Sequence, residues 1–311
     1  MDKERAWGLA SAVGAFTLWG FLPIYWKLVQ EVPALEILAH RFIWSLVFLA
    51  LFIFATKRIG PFCQEVRAIL ARPGKILGVV AAATIITFNW LTYIWAVNND
   101  RIVETSLGYY MTPLISVLLG VVVLKERLSF WQTVSVLLAA AGVLNLTFRF
   151  GVFPWVAVSL AVSFGLYGLC KKLLNIGAIN SITLETLLVS PLAFLYLAYL
   201  HHQGVGALSP GHLALDSLLI GTGVVTAIPM VLFSAGAIRL PLTVIGFIQY
   251  FSPTIALFVG IFLYGESFSP THLLSFSLIW LALAIFSLSK TKPFLRLENL
   301  IIKKTPCPSD E

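Results

Sequence analysis

Long apolar runs fill most of the chain, and short polar connections separate them. A helix needs about 20 mostly apolar residues to cross the hydrocarbon core of a bilayer. The runs reach that length and are apolar on all sides, whereas the strands of a membrane β-barrel are shorter and alternate polar with apolar positions. The pattern therefore predicts an all-α integral membrane protein with ten transmembrane helices, at residues 6–26, 35–56, 76–97, 103–124, 130–148, 152–170, 181–200, 214–236, 242–264 and 271–289.

The composition of the 311 residues supports this prediction. Only 11% of them are charged and 59% are apolar, with a mean hydropathy of +0.92, whereas a soluble domain carries about 25% charged residues. So few charges cannot cover a water-exposed surface, which excludes a soluble enzyme. The net charge of +7 does not indicate nucleic-acid binding, because no basic patch interleaved with aromatic residues lies outside the apolar runs. The partner that this composition predicts is the lipid bilayer.

The basic residues lie mainly on one side of the predicted helices. If the amino terminus is cytoplasmic, all of the 21 Lys and Arg residues lie in cytoplasmic segments except Lys27, Arg41, Arg101 and Arg149. Cytoplasmic loops carry such an excess of positive charge, so we expect both termini on the cytoplasmic side. The three cysteines are scattered along the chain and offer no metal-ligand spacing. We therefore expect no metal and no other cofactor.

Residues of the fourth predicted helix recur in the ninth at a constant spacing of 140 residues: Tyr110, Pro113, Ile115, Gly120, Glu126 and Ser129 match Tyr250, Pro253, Ile255, Gly260, Glu266 and Ser269. The first and sixth helices share an aromatic residue followed by glycine, Trp19-Gly20 and Phe164-Gly165. Five helices in each half give the second half the opposite orientation, an inverted repeat of the kind many transporters have. We expect repeats at residues 1–148 and 152–289 and a cytoplasmic tail at 290–311; a chance match is the alternative.

Two inverted halves enclose a central site that opens to alternate sides of the membrane as one half rocks against the other. The phosphate-binding pattern Gly-x-x-x-x-Gly-Lys is absent from the sequence, so ATP is not expected to drive the motion directly. We therefore predict a secondary transporter of a small organic molecule; a channel or a transport-like sensor is the alternative. An intramembrane enzyme is disfavoured because neither Gly-x-Ser-x-Gly nor His-Glu-x-x-His occurs. The oligomeric state is left open, and a homo-oligomer is compatible with the sequence.

Several long segments resemble a known family. They are Trp19–Lys27, Glu36–Ser45, Asn89–Asn99, Ser106–Leu114, Gly246–Thr254 and Tyr264–Glu266. Together they resemble the RarD-type permeases, which belong to the EamA branch of the drug/metabolite transporter superfamily, and the likeness covers residues 6–289. The resemblance implies ten helices in two five-helix repeats, a bacterial inner membrane and export-type transport. Members are often labelled chloramphenicol-sensitive proteins, a label that does not establish a substrate.

Ionisable side chains inside the predicted helices are candidate functional residues, because a charge at the bilayer centre costs about 2.5–3.5 kcal/mol on insertion scales. Arg41 is the clearest case, about 9 Å below the outer end of the second helix at 1.5 Å per residue. Two explanations stand equally: an ion pair with Glu104, which begins the fourth helix on the same side, or anion binding.

Two further ionisable groups, His40 and Glu185, each have a structural and a functional interpretation. His40 shares a helix face with Glu36, and a structural hydrogen bond is favoured over proton coupling by His40. Glu185 lies one turn into the seventh helix, where an ion pair with Lys171 or Lys172 is favoured over proton coupling.

Aromatic and amide side chains supply candidates for the wall of a cavity, which for an organic solute needs apolar surfaces and a few polar groups. With His40 and Arg41, the candidates are Trp19, Asn89, Trp90, Tyr93, Tyr109, Tyr110, Tyr167, Gln249 and Tyr250. Helix packing is the alternative for each.

Pro113 and Pro253 are expected to form paired helix bends beside the cavity, since proline removes a backbone hydrogen bond; kinks tolerated by packing are the alternative. Trp26, near a helix end, is expected to anchor the membrane interface.

Overall fold

The structure, a computed structural model, describes residues 3–99, 101–150, 153–208, 212–265 and 270–301. The first half of this described part contains α1 (Lys3–Leu28), α2 (Ala34–Ala55), α3 (Ile59–Leu70), α4 (Pro73–Asn98), α5 (Ile102–Val122) and α6 (Phe130–Phe150). The second half contains α7 (Trp155–Leu174), α8 (Ala178–His202), α9 (Leu213–Arg239), α10 (Leu242–Gln249), α11 (Phe251–Tyr264) and α12 (Pro270–Leu288), followed by α13 (Lys292–Ile301). The residues Glu266 and Ser269 of the sequence repeat lie outside the described residues.

The prediction of an all-α integral membrane protein is confirmed. Over the described ranges, nine helical segments are long and apolar enough to cross a membrane, with α10 and α11 counted as one segment. α12 meets this criterion only together with α13, which is bent from it by 96°; α12 is thus the tenth candidate. Helices are favoured in these segments because lipid offers no hydrogen bonds, so each backbone amide must find its partner within the segment.

The ninth predicted helix is correct in extent but is not continuous. It divides at Tyr250 into α10 and α11, and Pro253 follows in the first turn of α11. Proline has no N–H to bond the carbonyl of Gln249, four residues earlier, which favours a break there. α5, in contrast, runs as one helix through Pro113. The two prolines thus differ in that a break lies next to Pro253 only, while a pair of matching bends at Pro113 and Pro253 stays a prediction.

The helices of one half pack mainly against helices of the other. α1 packs against α9 and α11, and α7 packs against α4 and α5. α2 packs against α8, α5 against α10, and α6 against α12. The counterparts in the two halves are α1 and α7, α2 and α8, α4 and α9, α5 and the pair α10–α11, and α6 and α12. If each helix is exchanged for its counterpart, this set of contacts is unchanged.

Two glycines from the sequence repeat show the same exchange in atomic detail. A Cβ atom added to Gly20 in α1 would lie 2.6 Å from Cβ of Ile255 in α11. A Cβ atom added to Gly165 in α7 would lie 2.8 Å from Cγ2 of Ile115 in α5. Ile115 and Ile255 are themselves a matched pair, so each glycine makes room for the corresponding isoleucine of the other half. An approximate two-fold relation between the halves would produce this reciprocity.

Carboxylates of the first half accept hydrogen bonds from backbone amides of the second half. The amides bonded by Glu126, Glu65 and Glu104 lie at the start of a helix, where unpaired N–H groups favour a negative charge, whereas the amide bonded by Glu36 lies in the loop after α8. We refer to these contacts as the carboxylate–amide links: Glu126 with Leu242 (2.7 Å) and Thr243 (2.9 Å), Glu65 with Gly177 (2.9 Å), Glu104 with Val156 (3.3 Å), and Glu36 with Ala207 (2.6 Å). The links with Glu126 and Glu65 lie at the end of the bundle where α1 begins, and those with Glu36 and Glu104 lie at the opposite end.

Candidate functional site

A narrow cleft lies at the centre of the bundle, between α2 and α4 of the first half and α8 and α9 of the second. Between its side chains there is room for little more than a water molecule. An organic solute could therefore enter only if the helices moved apart. The walls are mainly apolar and are formed by Arg41, Phe42, Ser45, Ile86, Trp90, Ile182, Glu185, Thr186, Thr226, Ala227 and Met230.

Arg41 is held in the cleft by contacts that leave much of its guanidinium free. Nε donates a hydrogen bond to Oγ1 of Thr226 at 3.0 Å. The guanidinium carbon lies 4.2 Å from the centroid of the Trp90 ring and 5.0 Å from that of Trp26, both within the range of cation–π attraction. Of the three guanidinium nitrogens of Arg41, only Nε has a hydrogen-bond partner among the described residues. The four N–H groups of the two Nη atoms are therefore available to a ligand.

The structure corrects one expectation about the surroundings of Arg41, the ion pair with Glu104. Glu104 pairs with Arg101, whose Nε lies 2.8 Å from Oε1, so the expected ion pair between Arg41 and Glu104 is wrong. Arg101 takes this role because it lies three residues before Glu104 at the start of the same helix. Within the described part of the chain, no carboxylate lies within 4.0 Å of the Arg41 guanidinium. Trp26 also lies against Arg41, and its expected role as an interface anchor stays a prediction.

A close approach of α2 to α9 fixes the position of Arg41 relative to Thr226. One turn after Arg41, Ser45 Oγ donates to the carbonyl of Gly223 at 3.0 Å. Gly223 itself lies one turn before Thr226, and a Cβ atom added to it would be 2.2 Å from the backbone carbon of Trp44. Only glycine fits at this crossing, because the obstacle is backbone and cannot rotate away.

Gly223→Ala is expected to lower the free energy of unfolding by about 3 kcal/mol, the upper end of the usual cost of overpacking. The helices must separate, which also moves Thr226 away from Arg41. Gly14→Ala is the matched control, since its added Cβ would meet Leu232 at an ordinary 3.6 Å. Thermal unfolding of the purified variants in detergent measures the difference. Equal midpoints for the two variants would contradict the close approach.

Glu185, the second charged residue of the cleft, is fully satisfied. Its Oε1 pairs with Lys171 Nζ and accepts a hydrogen bond from Ser181 Oγ at 2.9 Å. Its Oε2 accepts one from Tyr167 OH at 2.9 Å. Each of these four side chains exposes at most 3% of its surface. The favoured ion pair of Glu185 is present, with Lys171 as the partner, while Lys172 donates to the carbonyl of Leu240.

His40 and Glu36 are buried next to the cleft but do not line it. Trp44 Nε1 donates to His40 Nδ1 at 3.3 Å, which places the proton of a neutral imidazole on Nε2. His40 Nε2 lies 3.9 Å from Glu36 Oε1, and that oxygen accepts the hydrogen bond from Ala207. These contacts give both residues structural partners; proton coupling by His40 stays a prediction.

Three of the proposed cavity residues connect helices instead of lining the cleft. Asn89 in α4 donates to the carbonyl of Leu160 at 2.9 Å and to Ser163 Oγ at 2.8 Å, both in α7. Gln249 accepts a hydrogen bond from Ser116 at 2.9 Å. Tyr110 donates to the carbonyl of Pro253 at 3.4 Å. Buried side-chain hydrogen bonds of this kind hold helices together in membranes.

The remaining aromatic candidates divide into two groups. Trp19 and Tyr167 belong to a buried cluster with Phe233, in which the Tyr167 and Phe233 rings stack at 5.8 Å, and Tyr250 is buried at the break between α10 and α11. The rings of Tyr93 and Tyr109 lie 6.1 Å apart, and both side chains lie near Arg41. Tyr93 and Tyr109 therefore extend the site around Arg41, whereas the first group supports the fold.

The hydroxyl and aliphatic residues of the cleft were not among the candidates that the sequence indicated. Thr226 and Ser45 contact Arg41 or position it, yet hydroxyl residues are common wherever membrane helices pack. Ile182 lies three residues before Glu185 and therefore shares a face of α8 with it. That helical spacing is the pattern by which Ile182 could have been found, whereas Thr186, one residue after Glu185, has no such spacing from it.

Comparisons of the sequence with known proteins find transporters and RarD proteins. Residues 6–148 match the EamA-like transporter family. The chain is 46% identical to "Uncharacterized transporter YojE" of Bacillus subtilis, over 93% of this chain and 96% of that protein. It is 37% identical to "Protein RarD" of Escherichia coli, over 91% of this chain and 95% of that protein. One crystal structure matches with a TM-score of 0.70 at 18% identity, over 93% of this chain and 99% of that one, which supports the fold alone.

Proposed function

The chain belongs to the EamA-like transporter family as a RarD-type permease and is a multi-pass membrane transporter, and we propose that it moves a small organic solute through the cleft at Arg41. The observation that carries this proposal is the composition of the cleft walls. α2 and α4 come from the first half and α8 and α9 from the second, so relative motion of the halves would widen or close the space around Arg41.

The proposed mechanism is alternating access between two inverted repeats, at residues 1–148 and 152–289. The exchange of helix contacts between the halves supports this division, as do the reciprocal contacts of Gly20 with Ile255 and of Gly165 with Ile115. The carboxylate–amide links connect the halves at both ends of the bundle. In each cycle the links at one end would open while those at the other end hold, which exposes the cleft to one side at a time.

The proposed setting is the bacterial inner membrane, with both termini and the tail at 290–311 in the cytoplasm. The one-sided distribution of Lys and Arg supports this orientation, and the relatives described above are bacterial. Transport is proposed to be secondary, because the sequence lacks the ATP-binding pattern. The proposed direction is export of a metabolite or drug-like molecule.

Counterflow tests this function. The solute is first identified as the metabolite that accumulates outside cells overproducing the native chain but not outside cells overproducing Arg41→Gln. Proteoliposomes with the purified full chain are then loaded with that unlabelled solute and exposed to a trace of labelled solute. A carrier produces transient accumulation of label above equilibrium. Equilibration without an overshoot would indicate a channel, and the absence of flux a sensor; either result would contradict the proposal.

A further inference from the structure

The charge of the cleft is not balanced. Of the lining residues, two are charged: Arg41 and Glu185. Glu185 is neutralised by Lys171, and both of its oxygens accept hydrogen bonds within the protein. Arg41 has no carboxylate within ion-pair distance among the described residues, and its guanidinium stays protonated in proteins. Arg41, Glu185 and Lys171 therefore leave the cleft with one positive charge.

The free part of Arg41 has the geometry of an acid-binding group. Trp90 and Trp26 lie against the guanidinium and Thr226 engages Nε, so the N–H groups of both Nη atoms stay available. Two adjacent N–H groups of arginine bind the two oxygens of a carboxylate in parallel. The attraction is strong here because the surroundings are apolar and poorly screened.

We propose that the transported solute is a small organic monoanion whose carboxylate binds the Nη atoms of Arg41. Its apolar body lies along the aliphatic wall formed by Ile86, Ile182 and Met230. This inference rests on the proposed function, in which the cleft is the solute site.

The same contacts disfavour other charge types. A cation needs a carboxylate without a partner, and the described part of the cleft offers none. A zwitterion would have to displace Lys171 from Glu185, which would leave a buried ammonium unpaired at high cost. A dianion would bring a second charge for which no free cation lies in the described walls. One negative charge is the complement of this site.

A binding experiment with matched probes tests the inference. The acids benzoate, phenylacetate and hexanoate are compared with their amides and with the corresponding primary amines. Binding to the purified full chain is followed by tryptophan fluorescence, because Trp26 and Trp90 flank Arg41, and by thermal stability. We expect saturable binding of at least one acid and of none of the amides or amines.

Arg41 variants show whether this site is the one that binds. Arg41→Gln is expected to weaken binding of the acid about tenfold or more, and Arg41→Lys, which keeps the charge but loses the paired N–H groups, by a smaller factor. Arg101→Gln is the matched control, since Arg101 also lies over two tryptophan rings, those of Trp95 and Trp155, but is paired with Glu104. Its affinity for the acid is expected to be that of the native chain.

Three results would overturn the inference: none of the acids binds at millimolar concentration, an amide or amine binds as tightly as its acid, or Arg101→Gln weakens binding as much as Arg41→Gln does. The proposed function is judged separately. Counterflow of a neutral or cationic solute through the Arg41 cleft would leave the transporter proposal intact and overturn the monoanion. Binding of the acids without any counterflow would overturn the transport mechanism and leave the site in place.

Discussion

Replacement of Arg41 by alanine is expected to abolish transport while the chain still inserts into the membrane. The substitution removes the only unpaired charge of the described cleft and also the guanidinium on which Trp90 and Trp26 lie. Insertion should be unaffected or improved, because an arginine inside a membrane helix is itself costly. Counterflow in proteoliposomes, normalised to the amount of folded protein, measures the loss.

Arg101→Ala is the control for this loss of transport. It removes an arginine that also contacts two tryptophan rings but lies outside the cleft. We expect it to retain most of the native counterflow, with a modest loss of stability because Glu104 loses its partner. Full transport by Arg41→Ala would exclude a direct role for Arg41.

Lys171→Met is expected to destabilise the protein by about 3–5 kcal/mol, the usual cost of removing one partner from a buried ion pair. Glu185 would remain buried with a negative charge, held only by Ser181 and Tyr167. Lys171 exposes 1% of its surface, so water cannot take the place of its ammonium. The midpoint of thermal unfolding in detergent reports the change.

The double variant Lys171→Met with Glu185→Gln separates the unpaired charge from a loss of packing. Removing both charges should restore most of the stability, because a buried ion pair is often worth little more than its neutral replacement. Lys172→Met is a further control, since Lys172 donates only to the carbonyl of Leu240 and its loss should cost much less. If the single and double Lys171 variants unfolded at the same temperature, an unpaired Glu185 would not be the cause.

The fold could be predicted from the sequence to within a few residues at most helix ends, because length and apolarity alone decide what crosses a bilayer. The break at Tyr250 could not. Pro113 and Pro253 occupy matched positions, yet α5 runs through the first while the helix divides next to the second. A proline permits a break, and the packing of neighbouring helices decides whether it occurs. No local pattern contains that information.

The site was predictable where the chemistry was unusual for a membrane. Arg41 and Trp90 both line the cleft, and a charge within an apolar run identified the first. The true partner of Glu104 was also readable, since Arg101 lies three residues before it. Thr226 was not readable, because its role depends on the crossing of α2 and α9 at Gly223, a contact between residues far apart in sequence.

The carboxylate–amide links have a consequence for how substitutions are tolerated. One side of each link is a glutamate side chain, and the other is a main-chain N–H that every residue except proline supplies. The residues that supply the amides can therefore be substituted during evolution without loss of the carboxylate–amide links. The four glutamates cannot, and none of the five main-chain positions can accept a proline without losing its hydrogen bond. The carboxylate–amide links therefore depend on the identity of side chains in the first half, but only on main-chain atoms in the second half.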